Sequence, residues 1–474
     1  MIKKEYINPR MNTNMTFGVL TDTEVILVEV VQGKRVLRSI LLPLDMSEPG
    51  SVLEVLWQAG LTAIWVMPAT RFSRNVTRSW LELANNHWMV VVHADPSEPT
   101  RPVSALFWPK GNRREERRLT LSFPEYAGWG WTLTDSKSLL ATVTYLQQAL
   151  ARPVLDAPNL VAHQLFADLT RDQPLAVLRS SPVDLQTLHD KDGKTIPWLE
   201  GARETTWMRP LTLIEQRQRY LHKYTHVSLE LEACKSIHLG TGTPQYSPNG
   251  RMFDGIRPGI WHVRGELVGS VFDGKRLPSC LDRAWMSTPQ VACCRDIGYQ
   301  IHVEEGHCWP QSHELLTAWA TTLWQAAESV HTHLRIYRHA QARANTSHTI
   351  KKLVQSVIAL FAQEETTGGW SRPDWWAQII GRRQATLFAH LVRLVRKGTM
   401  PVLVDGDAFW VVSNDPNPLT AVPGLVTAPR WRGYTLGYEV PLPLSREVRD
   451  IFRTAEHSNQ MATALDILAS EAFP

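Results

Sequence analysis

The stretch that decides the fold is Met400-Pro401-Val402-Leu403-Val404-Asp405-Gly406-Asp407-Ala408-Phe409-Trp410-Val411-Val412. Two apolar runs, rich in the β-branched and aromatic residues that strands prefer, flank a turn of Asp-Gly-Asp. Glycine permits the positive φ that such a tight turn often needs. The sequence therefore predicts a β-hairpin that carries Asp405 and Asp407 at its tip. Because the two carboxylates repel each other, we expect a weakly held Mg²⁺ between them, with a purely structural hairpin as the alternative.

The composition sets broad limits on the rest of the chain. A length of 474 residues predicts two or three domains, and 43% hydrophobic residues are enough for full-sized cores. The net charge of +4 permits nucleic-acid binding without requiring it. No apolar run approaches the length of a membrane span, and the N-terminus has no signal-peptide core. We therefore expect a cytoplasmic protein with no membrane association.

The cysteines indicate reduced thiols. Their number is odd, and no signal segment accompanies them. A zinc site made of Cys293, Cys294, His307 and Cys308 is the alternative, but it lacks the Cys-x-x-Cys spacing of structural zinc sites. Buried thiols are the favoured interpretation. The five cysteines are Cys234, Cys280, Cys293, Cys294 and Cys308.

The N-terminal part has the pattern of an α/β domain, which we place at residues 1–155. Apolar runs predict strands over 24–31, 36–42, 62–67, 88–93, 103–108 and 119–123, and helical periodicity predicts a helix over 136–150. Asp22 and Glu24 have Asp-x-Glu spacing, which is weak evidence for a nuclease metal site and more typical of a solvated turn. Residues 156–215 are rich in proline and polar residues, so we predict a linker there.

The C-terminal part, residues 216–474, alternates strands with long helices. Residues 220–234 form a predicted strand that runs into a helix. Helical spacing of apolar residues then continues over 313–338, from 350 to 361, and from 372 to about 397. The last of these helices begins with Arg372-Pro373-Asp374, and proline is favoured in a first helical turn. The hairpin of Asp405 and Asp407 follows this helix.

Three motifs in this order resemble those of family B DNA polymerases. The hairpin resembles the family's Asp-Thr-Asp-Ser turn. Ser228 and Leu229 match the family's Asp-x-x-Ser-Leu-Tyr, although Thr225 stands at the Asp position and Glu230 at the Tyr position. Farther along, Lys351 and Ser356 match Lys-x-x-x-Asn-Ser-x-Tyr-Gly, while Gln355, Ile358 and Ala359 depart from it.

The resemblance implies a mixed α/β and α+β architecture. It comprises a ribonuclease-H-like, exonuclease-type N-terminal domain and a polymerase-like palm over 216–312 and 370–474. Helical fingers would span 313–369, and the thumb would be reduced or absent. The chain is also similar to telomere-associated proteins of linear bacterial replicons. In this arrangement residues 220–234 and 400–412 become neighbours in one antiparallel sheet.

The departures from the family motifs bear on catalysis. Two-metal phosphoryl transfer needs carboxylates from both palm strands, and Thr225 supplies none. We therefore expect a pseudo-polymerase that binds DNA or RNA within a replication, mobile-element or defence complex. An active polymerase or nucleotidyltransferase, using Asp405 and Asp407 with a displaced Glu230 or Glu232, is the alternative. A third possibility is an assembly subunit whose basic helices meet an acidic protein.

Basic and aromatic residues of the predicted fingers and of the helix after them are the candidate nucleic-acid contacts. Cationic side chains would bind phosphates, and tryptophans near arginine would stack on unpaired bases. Trp431 is a further stacking candidate. The residues in the main set are Arg335, Arg338, Arg343, Lys351, Lys352, Trp375, Trp376, Arg382 and Arg383.

Overall fold

The chain divides into two compact units. One comprises residues 1–168 and 322–357, and the other residues 169–321 and 358–474. The domain boundaries drawn from the sequence stay predictions. The computed structural model describes residues 17–22, 24–31, 34–41, 48–68, 70, 73, 78–94, 102–110, 118–131, 135–150, 154–169, 192, 206–226, 229–267, 284–296, 298–336, 340–362, 372–422, 436–438, 441–455 and 458–472.

The first unit is built on a mixed sheet in the order β3-β2-β1-β4-β7-β6-β5. β1 is antiparallel to β2 and parallel to β4, which is itself parallel to β7. The unit is therefore a mixed α/β domain, and its finer assignment as ribonuclease-H-like stays a prediction. Its elements are β1 (Phe17–Leu20), β2 (Glu24–Val31), β3 (Lys34–Leu41), α1 (Pro49–Gln58), β4 (Ala63–Val66), α2 (Arg78–Ala84), β5 (Trp88–Ala94), β6 (Pro102–Pro109), β7 (Leu119–Ser122), α3 (Ser136–Leu150) and α4 (Pro158–Leu169).

Alternating side chains of β4 divide the core of this unit into two layers. Ile64 and Val66 belong to the layer that contains α1 and α2, whereas Ala63 and Trp65 pack with α3. The fully buried Trp65 donates its Nε1–H to the backbone oxygen of Val154 at 2.9 Å, so its polar atom is satisfied. One strand thus supports helices on both faces of the sheet.

The second unit contains, in its described part, sheets of four, two and six strands. The unit boundaries fall inside α7 and α8. The elements after α4 are β8 (Thr206–Met208), β9 (Tyr220–His226), α5 (Leu229–Ser236), β10 (Leu239–Thr241), β11 (Gln245–Ser247), β12 (Gly259–Leu267), β13 (Ala284–Ser287), α6 (Thr288–Asp296), β14 (Tyr299–Cys308), β15 (Gln311–His313), α7 (Thr317–Ile336), α8 (Ala340–Ala362), α9 (Pro373–Arg396), β16 (Leu403–Asp405), β17 (Ala408–Ser413), β18 (Leu436–Tyr438), β19 (Leu442–Pro443), α10 (Arg446–Thr454) and α11 (Ser458–Ala472).

The six-stranded sheet holds the predicted hairpin. Its order is β18-β9-β17-β16-β8, and β19 also pairs with β9. Phe409 and Val411 on β17 face the layer that contains α9, whereas Leu403 and Trp410 pack in the layer of α10 and α11. Helices therefore cover both faces of the sheet, and the turn between β16 and β17 lies at its end.

Helix α9 is anchored at its start by a buried ion pair. Pro373 occupies its first turn, as predicted. Arg372 donates to both carboxylate oxygens of Asp374, at 2.9 and 2.6 Å, and to the backbone oxygen of Gly240 at 2.7 Å. The Nε1–H of Trp375 reaches the same oxygen at 2.8 Å. Because both charges are almost fully buried, this pairing fixes where the helix begins.

One glycine sets how closely α9 approaches β13. A Cβ at Gly381 would lie 2.0 Å from Oγ of Ser287. That hydroxyl is held in place because it donates to Oε1 of Gln290 at 2.9 Å. Glycine inside a helix ordinarily costs about 1 kcal/mol relative to alanine. Here the close contact explains why the helix interior has no side chain at this position.

The sequence-based element assignments agree closely with the structure. The helix predicted over 136–150 is α3, and the strands predicted over 103–108 and 119–123 are β6 and β7, which pair with each other. Within the predicted linker 156–215 the structure has α4 and β8, and β8 joins the six-stranded sheet. In the described part of the chain, no helix has the length and apolar character needed to cross a bilayer.

The prediction of buried thiols is confirmed for the four described cysteines. Cys234, Cys293, Cys294 and Cys308 are buried and form no disulfide. Burial raises the pKa of the Cys234 thiol well above its usual range. Cys280 lies outside the described residues.

Two histidines are buried against each other between β9 and α9. The ring centroids of His226 and His390 lie 4.9 Å apart. Burial, with a smaller contribution from His390, lowers the pKa of His226 to about 3. Burial, with a smaller contribution from Arg393, lowers the pKa of His390 to about 4. Both rings are therefore neutral at physiological pH.

Because His226 and His390 are buried and neutral, we expect acid to destabilise the second unit. Since both folded-state pKa values lie below the unfolded value of 6.5, the stabilisation is complete above pH 6.5 and is lost as pH falls towards about 4 for His390 and about 3 for His226. The loss is on the order of 2 kcal/mol per histidine at pH 5. Urea unfolding at pH 7.5 and pH 5 measures it. The variant His390→Phe should lose about half of this pH dependence. The exposed control His302→Gln should keep it. If His390→Phe keeps the full pH dependence, the buried histidines are not its cause.

Candidate functional site

The hairpin forms as the sequence predicts. Asp405 pairs with Ala408 across the turn, and Gly406 takes a φ of 56°. β17 also pairs with β9, which sets Ala408 opposite Thr225. The backbone N–H of His226 donates to the backbone oxygen of Asp407 at 2.9 Å. The prediction that 220–234 and 400–412 are neighbours in one antiparallel sheet is therefore confirmed.

A protein cation contacts the hairpin carboxylate. The Nε–H of Arg383, from α9, donates to Oδ1 of Asp407 at 2.7 Å, and its Nη2 contacts the same oxygen. Nε also lies 3.4 Å from Oε1 of Glu230 in α5. The side chains of Arg383, Glu230 and Asp407 are only 21%, 11% and 9% exposed. One guanidinium therefore offsets two largely buried carboxylates, which strengthens the interaction relative to a surface pair.

This arrangement bears on the predicted Mg²⁺ site. Magnesium requires near-octahedral oxygen ligands at about 2.0–2.1 Å. Oδ1 of Asp407 instead accepts two N–H groups of Arg383, so a cation could reach it only if that arginine moved. Among the residues that the structure describes, no group of three or more His, Cys, Asp or Glu side chains could hold a metal ion. The donor set does not fit Mg²⁺ as it is folded, and the weak site at Asp405 and Asp407 stays a prediction.

Arg383 is also a correction to the sequence analysis. We expected it to contact phosphate, together with Arg382, whereas its guanidinium binds Asp407 and Glu230. The reason is helical geometry: successive residues point about 100° apart, so only one of the two arginines faces the sheet. Arg382 is exposed.

The tryptophan candidates differ in their surroundings. Trp375 is fully buried, with Cζ of Arg372 4.0 Å from its ring centroid and Phe361 in edge contact 5.5 Å away. Its faces are therefore occupied, which corrects the expectation that this ring stacks on bases. Trp376 is half-buried and packs against a small apolar cluster. Trp431 lies outside the described residues.

The basic residues of the predicted fingers are only partly described. In α8, Lys351 is exposed, and Arg343 and Lys352 are half-buried. Arg338 lies outside the described residues, as does the side chain of Arg335. The same holds for Ser228, one of the motif matches.

The Asp-x-Glu pair of the first unit lies at a turn. Asp22 is exposed and Glu24 begins β2. The hydroxyl of Thr21 donates to the backbone oxygen of Glu24 at 3.0 Å and accepts from its N–H at 3.2 Å. These hydrogen bonds stabilise the turn at which the two carboxylates lie.

The sequence analysis named Glu232 only as a possible displaced metal ligand, but its surroundings make it a functional candidate. It lies in the first turn of α5, and burial raises its pKa to about 7, against smaller opposing effects of Arg382, Lys235 and Arg393. The residue lines a groove of about 420 Å³ between α5, α6 and α9. Neither its burial nor its neighbours could be read from local sequence, because they come from helices about 60 and 150 residues away.

Comparisons with known proteins give structural matches only. No protein-family model matches the sequence, and no curated protein matches it. The chain is similar to Phi29 DNA polymerase complexed with primer-template DNA and incoming nucleotides, with 11% sequence identity, a TM-score of 0.46, and coverage of 90% of this chain and 85% of that chain. It is similar to Phi29 DNA polymerase complexed with single-stranded DNA at 10% identity and a TM-score of 0.42, covering 90% and 84%. Identities and TM-scores this low assign neither a family nor an activity.

Proposed function

We propose that this chain is a non-catalytic nucleic-acid-binding protein on a polymerase-like scaffold. It would act in a replication, mobile-element or defence complex. The observation that carries the proposal is the guanidinium of Arg383 bound to Asp407 and close to Glu230, in the place where polymerase chemistry would need a metal ion. The proposal includes two further points. The chain is related to telomere-associated proteins of linear bacterial replicons, and its thumb is reduced.

The argument against catalysis rests on the charges at the end of the sheet. A two-metal site needs several carboxylates that converge on the cations. Thr225 offers a neutral hydroxyl on β9, and Asp407 is bound by Arg383. A positive charge already held at this point repels a divalent cation. These features favour a scaffold that binds nucleic acid over an enzyme that extends it.

The argument for nucleic-acid binding rests on exposed positive charge. Lys351 on α8 is exposed, as are three arginines on α9. Such side chains release counterions from a phosphate backbone, which gives binding that weakens with salt. The three arginines of α9 are Arg382, Arg393 and Arg396.

An active nucleotidyltransferase with a rearranged metal site is the second candidate. One observation favours it: Glu230 lies close enough to share a guanidinium with Asp407. If Arg383 swung away, these two carboxylates could share a cation instead. The experiments below separate the two candidates.

Primer extension tests the catalytic question. We expect no templated incorporation with Mg²⁺ or Mn²⁺, because the carboxylate of the first palm strand is missing. Thr225→Asp alone should not restore synthesis, since Arg383 would still hold Asp407. Extension by the natural sequence that is abolished by Asp407→Ala would overturn the proposal and establish the second candidate.

Metal-dependent stability tests the role of Arg383. Arg383→Gln leaves Asp407 and Glu230 facing each other without a cation, so it should cost about 1–3 kcal/mol of unfolding free energy. Mn²⁺ should then raise the melting temperature of this variant and leave that of the natural protein unchanged. Arg382→Gln, the exposed neighbour, is the matched control. Equal Mn²⁺ stabilisation of the natural protein would show that Arg383 does not exclude the metal.

Salt-dependent binding tests the nucleic-acid interaction. Anisotropy of a labelled single-stranded oligonucleotide, measured over a range of NaCl, should give a clear negative slope of log affinity against log salt. Lys351→Gln with Lys352→Gln should reduce that slope by about one unit per lost phosphate contact. Arg446→Gln, an exposed charge on α10, should leave it unchanged. Absence of binding, or binding indifferent to salt, would favour an assembly role instead.

A further inference from the structure

The seven-stranded sheet of the first unit ends in two edge strands of different character. β3 forms one edge and β5 the other. An edge strand presents a row of unpaired backbone N–H and C=O groups, and proteins usually guard it with charged residues or proline. The sequence of β3 includes Lys34, Arg35 and Arg38. β5 reads Trp-Met-Val-Val-Val-His-Ala and contains no acidic residue, lysine, arginine or proline. The sequence therefore guards the β3 edge and leaves the β5 edge without these devices.

β5 exposes apolar side chains along its unguarded edge. Met89 is 43% exposed, Val91 43% and Val92 40%. Because side chains of a strand alternate, Met89 and Val91 lie on one face of the sheet and Val92 on the other. Among the residues that the structure describes, β6 is the one strand that pairs with β5. An uncharged, β-branched edge that is apolar on both faces favours pairing with a further strand.

The regular part of β5 is long enough for such pairing. Its register with β6 is regular up to His93 and shifts between His93 and Ala94. Trp88 is almost fully buried, so the accessible regular run is 89–93, and Val91 is its central residue. In an antiparallel strand, alternate residues direct their N–H and C=O groups to opposite edges. About half of these backbone groups in the run therefore point away from β6.

We propose that β5 pairs antiparallel with β5 of a second copy of this chain, which joins the two seven-stranded sheets into one. The two-fold axis passes beside Val91, which lies opposite the partner's Val91. Val90 then lies opposite the partner's Val92, and Met89 opposite the partner's His93. Every residue of the accessible run is paired in this register, and valine packs against valine on both faces of the joined sheet.

The sequence of β5 favours a second copy over an unrelated segment. A two-fold axis places the same surface on both partners, so the surface must be complementary to itself. Like charges directly opposite each other would oppose the pairing, and β5 carries none, whereas apolar β-branched pairs stabilise it. A contact of five residues per strand is small beside a standard protein interface, so we expect a dimer that dissociates on dilution.

Sedimentation velocity at increasing protein concentration tests the dimer. The natural protein should shift reversibly from the mass of one chain to twice that mass. Val91→Lys places two like charges opposite each other at the axis and should stay monomeric over the same range. Ser39→Lys, at an exposed position of β3, is the matched control and should dimerise as the natural protein does. Circular dichroism checks that both variants are folded.

Cysteine pairing tests the register. In Val91→Cys the two new thiols face each other, with Cβ atoms about 4.5–5.5 Å apart, so mild oxidation should give a covalent dimer. In Met89→Cys they lie four residues apart along the strands, roughly 14 Å, so this variant should stay monomeric on a denaturing gel, as should the natural protein.

Three results would overturn the proposal. The first is a natural protein that stays monomeric up to its solubility limit. The second is a dimer that Val91→Lys leaves intact. The third is a covalent dimer that forms through Met89→Cys and not through Val91→Cys. All of these measurements are made without nucleic acid, so their outcome is independent of the function proposed above.

Discussion

The contact between Arg383 and Asp407 is the constraint on which the rest of the second unit depends. It joins the middle of α9 to the tip of the β16–β17 hairpin, and through Glu230 it reaches the start of α5. Three elements distant in sequence therefore meet at one guanidinium. Since all three side chains are mostly buried, the positive charge satisfies two carboxylates that would otherwise repel each other. The same contact fixes the orientation of α9 about its own axis.

That orientation gives the sides of α9 different neighbours. At about 100° per residue, Gly381 and Arg383 lie roughly 160° apart around the helix, and they contact β13 and the hairpin respectively. The arginines that line the groove lie on the side between these two contacts. Neighbouring residues Arg382 and Arg383 thus serve different purposes, although their side chains are chemically identical. The sequence shows two adjacent arginines, and only the direction of each side chain in the folded helix distinguishes their roles.

The elements of the fold were predictable, because they depend on local patterns. Apolar runs predicted β2 to β7, and Pro373 marked the start of α9. The hairpin and its pairing with β9 also followed from motif order. The partner of Asp407 did not, because Arg383 lies 24 residues away and reaches the hairpin only through tertiary packing. The pKa of Glu232 was equally inaccessible, since burial by other helices causes it.

The burial of Trp375 could have been predicted from the sequence, but its position next to an arginine led to a different expectation. It lies four residues before Ile379, on the apolar face of α9, so helical periodicity already placed it in the core. Its position next to arginine suggested base stacking instead. In the structure Arg372 stacks on the ring, yet inside the protein, where the guanidinium is held by Asp374. Proximity to a positive charge therefore did not distinguish a binding surface from a buried anchor.

The close approach at Gly381 has a mechanical consequence. Because no side chain separates α9 from β13 at Gly381, the helix is fixed there by its contact with Ser287. Trp375 fixes the start of the helix, and Arg383, two residues after Gly381, fixes it to the hairpin. A rod held on different sides can neither slide nor roll without breaking these contacts together. A force applied to the exposed arginines of α9 would therefore be transmitted to the end of the six-stranded sheet as a displacement of the whole helix.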